Sequence, residues 1–160
     1  MAHDMFLKLG PVKGESKDDK HKGEIDILAW SWGASQSGSA HMGGGAGAGK
    51  VNVQDISVTK YVDVSTTSIM NAICVGKHFP EVTLYVRKAG EKPLEYLTID
   101  MKEVYITSIS TGGSGGEDKL TENITLNFAK FKIQYKEQAD TGGAATSPDF
   151  TFDIAANKPG

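Results

Sequence analysis

The chain has 160 residues, 20 of them acidic and 17 basic, and the resulting net charge of −3 argues against a nucleic-acid-binding surface. Arg87 is its one arginine, so bidentate phosphate clamps are scarce. No apolar run reaches the ~20 residues of a membrane span, the single Cys74 excludes an intramolecular disulfide, and a domain of this length buries enough surface to fold without metal or disulfide.

The N-terminal stretch MAHDMFLKLG has neither a basic region nor a long apolar run. It predicts no cleaved signal peptide, hence a chain that starts in the cytoplasm. Met5 to Gly10 predicts a first strand, ended by Gly10-Pro11, and KGESKDDKHKGE a charged loop. EIDILAWSWG predicts a second strand, with Ile25 and Ile27 on one parity and Leu28, Trp30 and Trp32 on the other. Large aromatic side chains dominate cores, so Leu28, Trp30 and Trp32 are placed on the buried side. Ala29, Ser31 and Gly33 then occupy the opposite face, three small residues that let something approach closely.

A glycine-rich excursion follows, from Gly33 to Lys50. Read from Gly44 it spells G-x-x-x-x-G-K, the start of a phosphate-binding loop. That loop needs a Ser or Thr after the Lys for Mg²⁺, and a helix N-terminus behind it. Here Val51 follows Lys50, and VNVQDISVTKYV alternates like a strand, so nucleotide binding is rejected. Ordering such a loop costs roughly 1–2 kcal/mol of backbone entropy per residue, and it has few side chains to pack on its own core. It is therefore either disordered or laid against another chain, and the second alternative marks an assembly component.

The apolar parity shifts between Val53 and Ile56, predicting a bulge near Asp55. STTSIMNAICVGK predicts the one helix, capped by Ser65 or a following threonine. Its inner face is Ile69, Ala72 and Ile73, and Gly76 stops it. EVTLYVRKA and LEYLTIDM are joined by the hairpin signal Gly90-Glu91-Lys92-Pro93. EVYITSIS is a further strand, STGGSGGED a turn, LTENITLNFAKFKIQYKEQ a long strand bulged between Phe128 and Phe131, ADTGGAATSPD a connector and FTFDIA a last strand. Many short strands with one helix predict an antiparallel barrel or sandwich. The outward faces carry much Ser, Thr, Asn and Gln, which suits an exposed sheet and equally a water-lined surface.

Residues able to carry chemistry also admit plainer roles. Cys74 and His78 stand four apart, as a nucleophile and its base could on a helix, but Gly76 ends the helix between them. Cys74, between Ile73 and Val75, is placed as a small buried hydrophobe. His3, His21, His41 and His78 lack metal-ligand spacing and are placed as solvated or loop residues. Glu117, Asp118 and Glu122 are placed in a solvated turn. Asn123-Ile124-Thr125 matches a glycosylation pattern, read as chance inside a strand. No catalytic, cofactor or metal site is expected.

Two long blocks, GEIDILAWSWGASQSGSAHMGGGAGAGKVNVQDISVTKYVDVST and ITSISTGGSGGEDKLTENITLNFAKFKIQY, closely resemble the haemolysin-coregulated protein (Hcp) family of bacterial type VI secretion systems. The resemblance runs from Met5 to about Tyr135. It implies a mainly β fold, a small antiparallel β-barrel with one short α-helix, forming one domain over residues 1–160. Within that domain it implies an extended loop at about 33–50 and a less well matched tail at about 137–160. It further implies homohexameric rings that stack into a tube inside a contractile sheath, under a tip spike. On firing, the tube leaves the bacterial cytoplasm without a signal peptide, carrying effectors in its lumen. It implies no enzyme activity, no cofactor, no nucleic acid and no membrane insertion. By the same resemblance Ala29 and Ser31 face the lumen, and Gly43, Gly44, Gly45, Gly47, Gly49 and Lys50 form the arm reaching neighbouring subunits or rings. The rival from another class is a monomeric β-barrel that binds a small ligand.

Overall fold

Period-2 alternation of apolar residues decides most of the architecture. The computed structural model describes residues 3–38, 50–90, 93–137 and 147–160. In chain order it has β1 (His3–Leu9), β2 (Ile25–Ser31), β3 (Ala34–Ser35), β4 (Asn52–Val53), β5 (Ile56–Tyr61), α1 (Ser65–Val75), β6 (His78–Lys88), β7 (Leu94–Thr111), β8 (Thr121–Tyr135), β9 (Asp149–Asp153) and β10 (Lys158–Pro159). Strands pair in the order β8-β5-β2-β1-β6-β7, and β7 returns to β8. The sheet thus closes into a six-stranded antiparallel barrel. β9 and β10 extend it beyond the second half of β8, and β3 and β4 form a separate two-stranded ribbon.

The inward residues Leu7, Ile25, Ile56, Leu84, Ile99, Met101, Ile124 and Leu126 are all essentially inaccessible. Ile69 and Ala72 of α1 join the same core. Burying one such aliphatic side chain is worth about 1.5–3 kcal/mol, so this filled interior holds the molecule together.

Several expectations are corrected. Leu28 is not on the buried side with the tryptophans. It is the extra residue of a bulge between Ile27 and Ala29, half-buried beside Asp26 and Arg87 on the outer surface. That bulge switches the inward parity from Ile25 and Ile27 to Trp30 and Trp32, both of which pack against the core. At Asp55 the strand breaks rather than bulges: Val53 pairs in β4, and β5 begins at Ile56. LEYLTIDM and EVYITSIS are one strand, which runs through Glu103 at a left-handed φ of 55°. No register shift accompanies the parity change between Phe128 and Phe131; there β8 exchanges one neighbour, β5, for another, β9. The bulge in this region is on β7, between Ile106 and Ser108.

The helix stops as expected, with Gly76 at φ 65° and the Lys77 amide donating to Ala72 O at 2.8 Å. Its start is held differently. No side chain caps Val64; the Asp63 carboxylate accepts from the Ser65 amide at 2.8 Å instead. Cys74 is exposed, not buried. At ~100° per residue it lies about 140° round the helix from Ile69, so its apolar neighbours in sequence are not its neighbours in space.

His21 belongs to the loop after β1 yet is buried. The loop folds over the outward aromatics of β1 and β6: His21 stacks on Phe6 at 4.4 Å and lies against Tyr85 at 4.6 Å. Its ring nitrogens meet Glu24 at 3.0 Å and Glu95. A second tie is Arg87, which donates to both oxygens of Asp18 at 2.9 and 2.6 Å and to Asp4 at 3.2 Å. The Arg87 hydrogen bonds outweigh partial burial and pull the Asp18 carboxyl from 3.8 down to about 2. A depressed folded-state value means that this stabilisation is complete above 3.8 and is lost as pH falls through about 2. Arg87→Met should therefore cost stability near neutral pH, and its penalty should shrink across that acid window, read by urea unfolding at each pH. A penalty independent of pH would show that packing over Phe6, not charge, holds the loop.

Candidate functional site: an uncharged outer sheet face

Where four adjacent strands turn their second parity outward, the side chains are small, polar and neutral. On β2 these are Ala29 and Ser31, both exposed, and on β5 Ser57 and Thr59. On β8 they are Asn123, Thr125 and Asn127, and on β7 Thr107, Ser108 and Ser110. Pairing aligns them. One row runs Ala29, Thr59, Asn123, Ser110, and the next Ser31, Ser57, Thr125, Ser108. At about 4.8 Å per strand the rows span about 14 Å. The residues between them point inward: Trp30, Val58, Ile124 and Ile109 form the apolar row beneath. Alternation thus makes the core and this face from the same strands.

Cross-strand hydrogen bonds hold the face in shape. Thr59 Oγ1 donates to Asn123 Oδ1 at 2.6 Å. The Thr125 hydroxyl pairs with those of Thr107 and Ser108 at 2.7 and 2.6 Å. Asp55, in the break before β5, accepts from Thr107 Oγ1 at 2.8 Å and from Asn127 Nδ2 at 2.9 Å. Other charges gather at the margins, where Lys119 lies 4.8 Å over Tyr61 and His78 pairs with Glu103. The opposite outer surface is different. It carries ion pairs such as Lys102–Glu81 at 3.1 Å and Lys132–Asp149 at 3.8 Å.

Of the residues singled out by sequence, Ala29 and Ser31 lie at the edge of this face. Lys50 is exposed, and the chain after it enters β4, a strand where a phosphate loop needs a helix. Gly43, Gly44, Gly45, Gly47 and Gly49 lie outside the described residues, as does His41. The base of the arm is described: Ala34 pairs with Val53 and Ser35 with Asn52, and Trp32 Nε1 donates to Gln54 O at 2.9 Å. Cys74 and His78 are not brought together as a catalytic pair, since the helix ends at Val75 and His78 turns to Glu103. In sequence Asn123 and Thr125 read only as a chance glycosylation pattern inside a strand, and Asn127 is not singled out. Their signal was the strict alternation of NITLN with the serines and threonines of β5, which becomes a surface only when the strands pair.

Residues 6–135 match the family described as type VI secretion system effector, Hcp. A relative from Pseudomonas aeruginosa, protein hcp1, is 62% identical over 149 residues, 92% of each chain. Among solved structures, one described as a type six secretion system protein superimposes with a TM-score of 0.92 at 27% identity, over 99% of this chain and 100% of that one. Hcp1 from Salmonella typhimurium follows at 0.82 and 36% identity, covering 99% of each. A type VI secretion effector from Yersinia pestis follows at 0.76 and 32%, covering 94% and 99%.

Proposed function

This chain belongs to the Hcp family of type VI secretion, and we propose that it builds homohexameric rings whose neutral sheet face lines a lumen that carries effector proteins. Rings stack into a tube within the contractile sheath, below the tip spike, and firing exports tube and cargo from the bacterial cytoplasm. The observation that carries the reading is the continuous face of neutral side chains around Ser31, Thr59, Asn123 and Thr125, with the Asp55 carboxylate at its edge engaged by Thr107 and Asn127. A lumen through which different proteins pass needs hydration and few fixed charges, and this face supplies both. The protein's role is structural, without catalysis.

The rival, a monomeric small-ligand barrel, is disfavoured by the interior. A barrel of six strands leaves little room, and here Leu7, Leu84, Met101 and Leu126 fill it. Native mass spectrometry and negative-stain microscopy separate the two readings. Rings of six 17.1-kDa chains support the proposal, and a monomer at every concentration rejects it. A ring uses two different patches per protomer, the arrangement that closes on itself. For the arm, Gly45→Lys should shorten stacks of rings while circular dichroism and ring yield stay at wild-type values. Loss of all β-sheet signal would place the arm in the core instead.

A further inference from the structure

Two asparagines on the outward face of β8, Asn123 and Asn127, stand about 13 Å apart along the strand, and both are exposed. The Asn127 amide is not free to turn. The Asp55 carboxylate takes Asn127 Nδ2 at 2.9 Å on one oxygen and Thr107 Oγ1 at 2.8 Å on the other. An ionised carboxylate only accepts. Asn127 must therefore give it the NH₂ end and turn its own Oδ1 outward. At the other position Asn123 is tethered by the Thr59 hydroxyl at 2.6 Å; a hydroxyl can donate or accept, so this amide can present either its Oδ1 or its NH₂ outward. Between them Thr125 is engaged by Thr107 and Ser108. The face thus offers one oriented acceptor, at Asn127, and one adaptable amide, at Asn123, both neutral, with self-paired hydroxyls between.

The geometry points to a specificity device: Asn127, oriented by Asp55, and Asn123, tethered by Thr59, read the uncharged hydrogen-bonding groups of a folded protein cargo rather than its charge. The inference rests on the lumen reading and adds the chemical class of the cargo surface, one rich in exposed amide and hydroxyl groups. Asp55 is a positioning residue, with each oxygen already holding one donor. Holding the Asn127 amide in place beforehand removes part of the ordering cost of binding. Contacts of this kind are insensitive to salt. Charge-driven contacts weaken as the screening length falls from about 10 Å at 0.1 M to about 3 Å at 1 M.

The test uses one small monomeric folded protein with its surface coded three ways: near-neutral and rich in Ser, Thr, Asn and Gln; Lys-rich; and Glu-rich. Binding to the assembled wild-type chain is measured by fluorescence anisotropy at low and high salt. The neutral probe should bind best and change by less than about twofold over that range, since screening acts on charges. Asn127→Ala should weaken it about fivefold to tenfold, the worth of one hydrogen bond. Asp55→Asn keeps the size but lets the Asn127 amide turn, and should weaken binding while rings form normally; it decides the matter if Asn127→Ala does not assemble. The proposal is overturned if a charged probe binds best and is lost at high salt, if no probe binds, or if both variants bind the neutral probe like wild type. If Ser31→Gln weakens binding while the Asn127 and Asp55 variants do not, the lumen reading stands and this inference fails. If Ser31→Gln also has no effect, the lumen reading fails with it.

Discussion

Lys60→Met should destabilise the chain by about 3–5 kcal/mol, the cost of leaving a buried carboxylate without its cation. Lys60 and Glu122 are both fully buried and face one another across the β5–β8 pair. The ammonium group meets Glu122, the Asp63 carboxylate at 3.2 Å and the Tyr61 carbonyl at 2.8 Å. Thr66 of α1 donates to the same Glu122 oxygen at 2.8 Å. The pair therefore ties the start of the helix to one end of the barrel, and the other Glu122 oxygen has no hydrogen-bond partner among the described residues. The reverse variant, Glu122→Leu, should cost less, because Asp63 remains to compensate Lys60. The double variant Lys60→Met/Glu122→Leu should regain most of the loss, since apolar replacement of a buried pair is often neutral or stabilising. A double-mutant cycle by urea unfolding measures the coupling. If Lys60→Met stays within about 1 kcal/mol of wild type, the pair is not the tie described.

Ser31→Gln is expected to leave the fold intact and to empty the lumen. Ser31 is exposed and opposite Ser57 at the edge of the neutral face. Surface changes away from special features shift stability by about 0.5 kcal/mol or less. In the proposed sixfold ring each substitution would become a belt at one depth, so a longer amide would narrow the proposed channel for every cargo. Effector co-purification should fall about tenfold or more, since a loss of ~1.4 kcal/mol at the contact already amounts to that. Ring yield should not change. Trp30→Ala, on the opposite parity, should do the reverse: it removes core packing worth about 3–5 kcal/mol and lowers soluble protein. Effectors retained at wild-type levels by Ser31→Gln rings, or rings that fail to form, would remove Ser31 from the lumen.

Local chemistry was enough to place most elements from sequence. Gly10-Pro11 ends β1, Gly76 ends α1, and the Gly90 hairpin signal sits between β6 and β7, because each depends on a backbone preference within a few residues. The outward position of Ala29 and Ser31 was legible for the same reason, since side-chain parity is a property of one strand. The residues that misled are those whose surroundings come from far along the chain. Glu122 reads as part of an acidic turn until Lys60, 62 positions away, is placed beside it. His21 reads as a loop histidine until Phe6, Tyr85 and Glu95 close over it. The neutral face is of this second kind. Each of its strands shows only ordinary alternation. Barrel closure aligns β2, β5, β8 and β7, and that pairing, set by packing of the inner residues, turns scattered serines, threonines and asparagines into one surface and fixes which way Asn127 faces. Sequence alone thus determined the β architecture, the helix and its stop, and the parity of Ser31. The tertiary structure decided which polar residues are buried and which assemble into a site, because burial and register are set by contacts between distant strands.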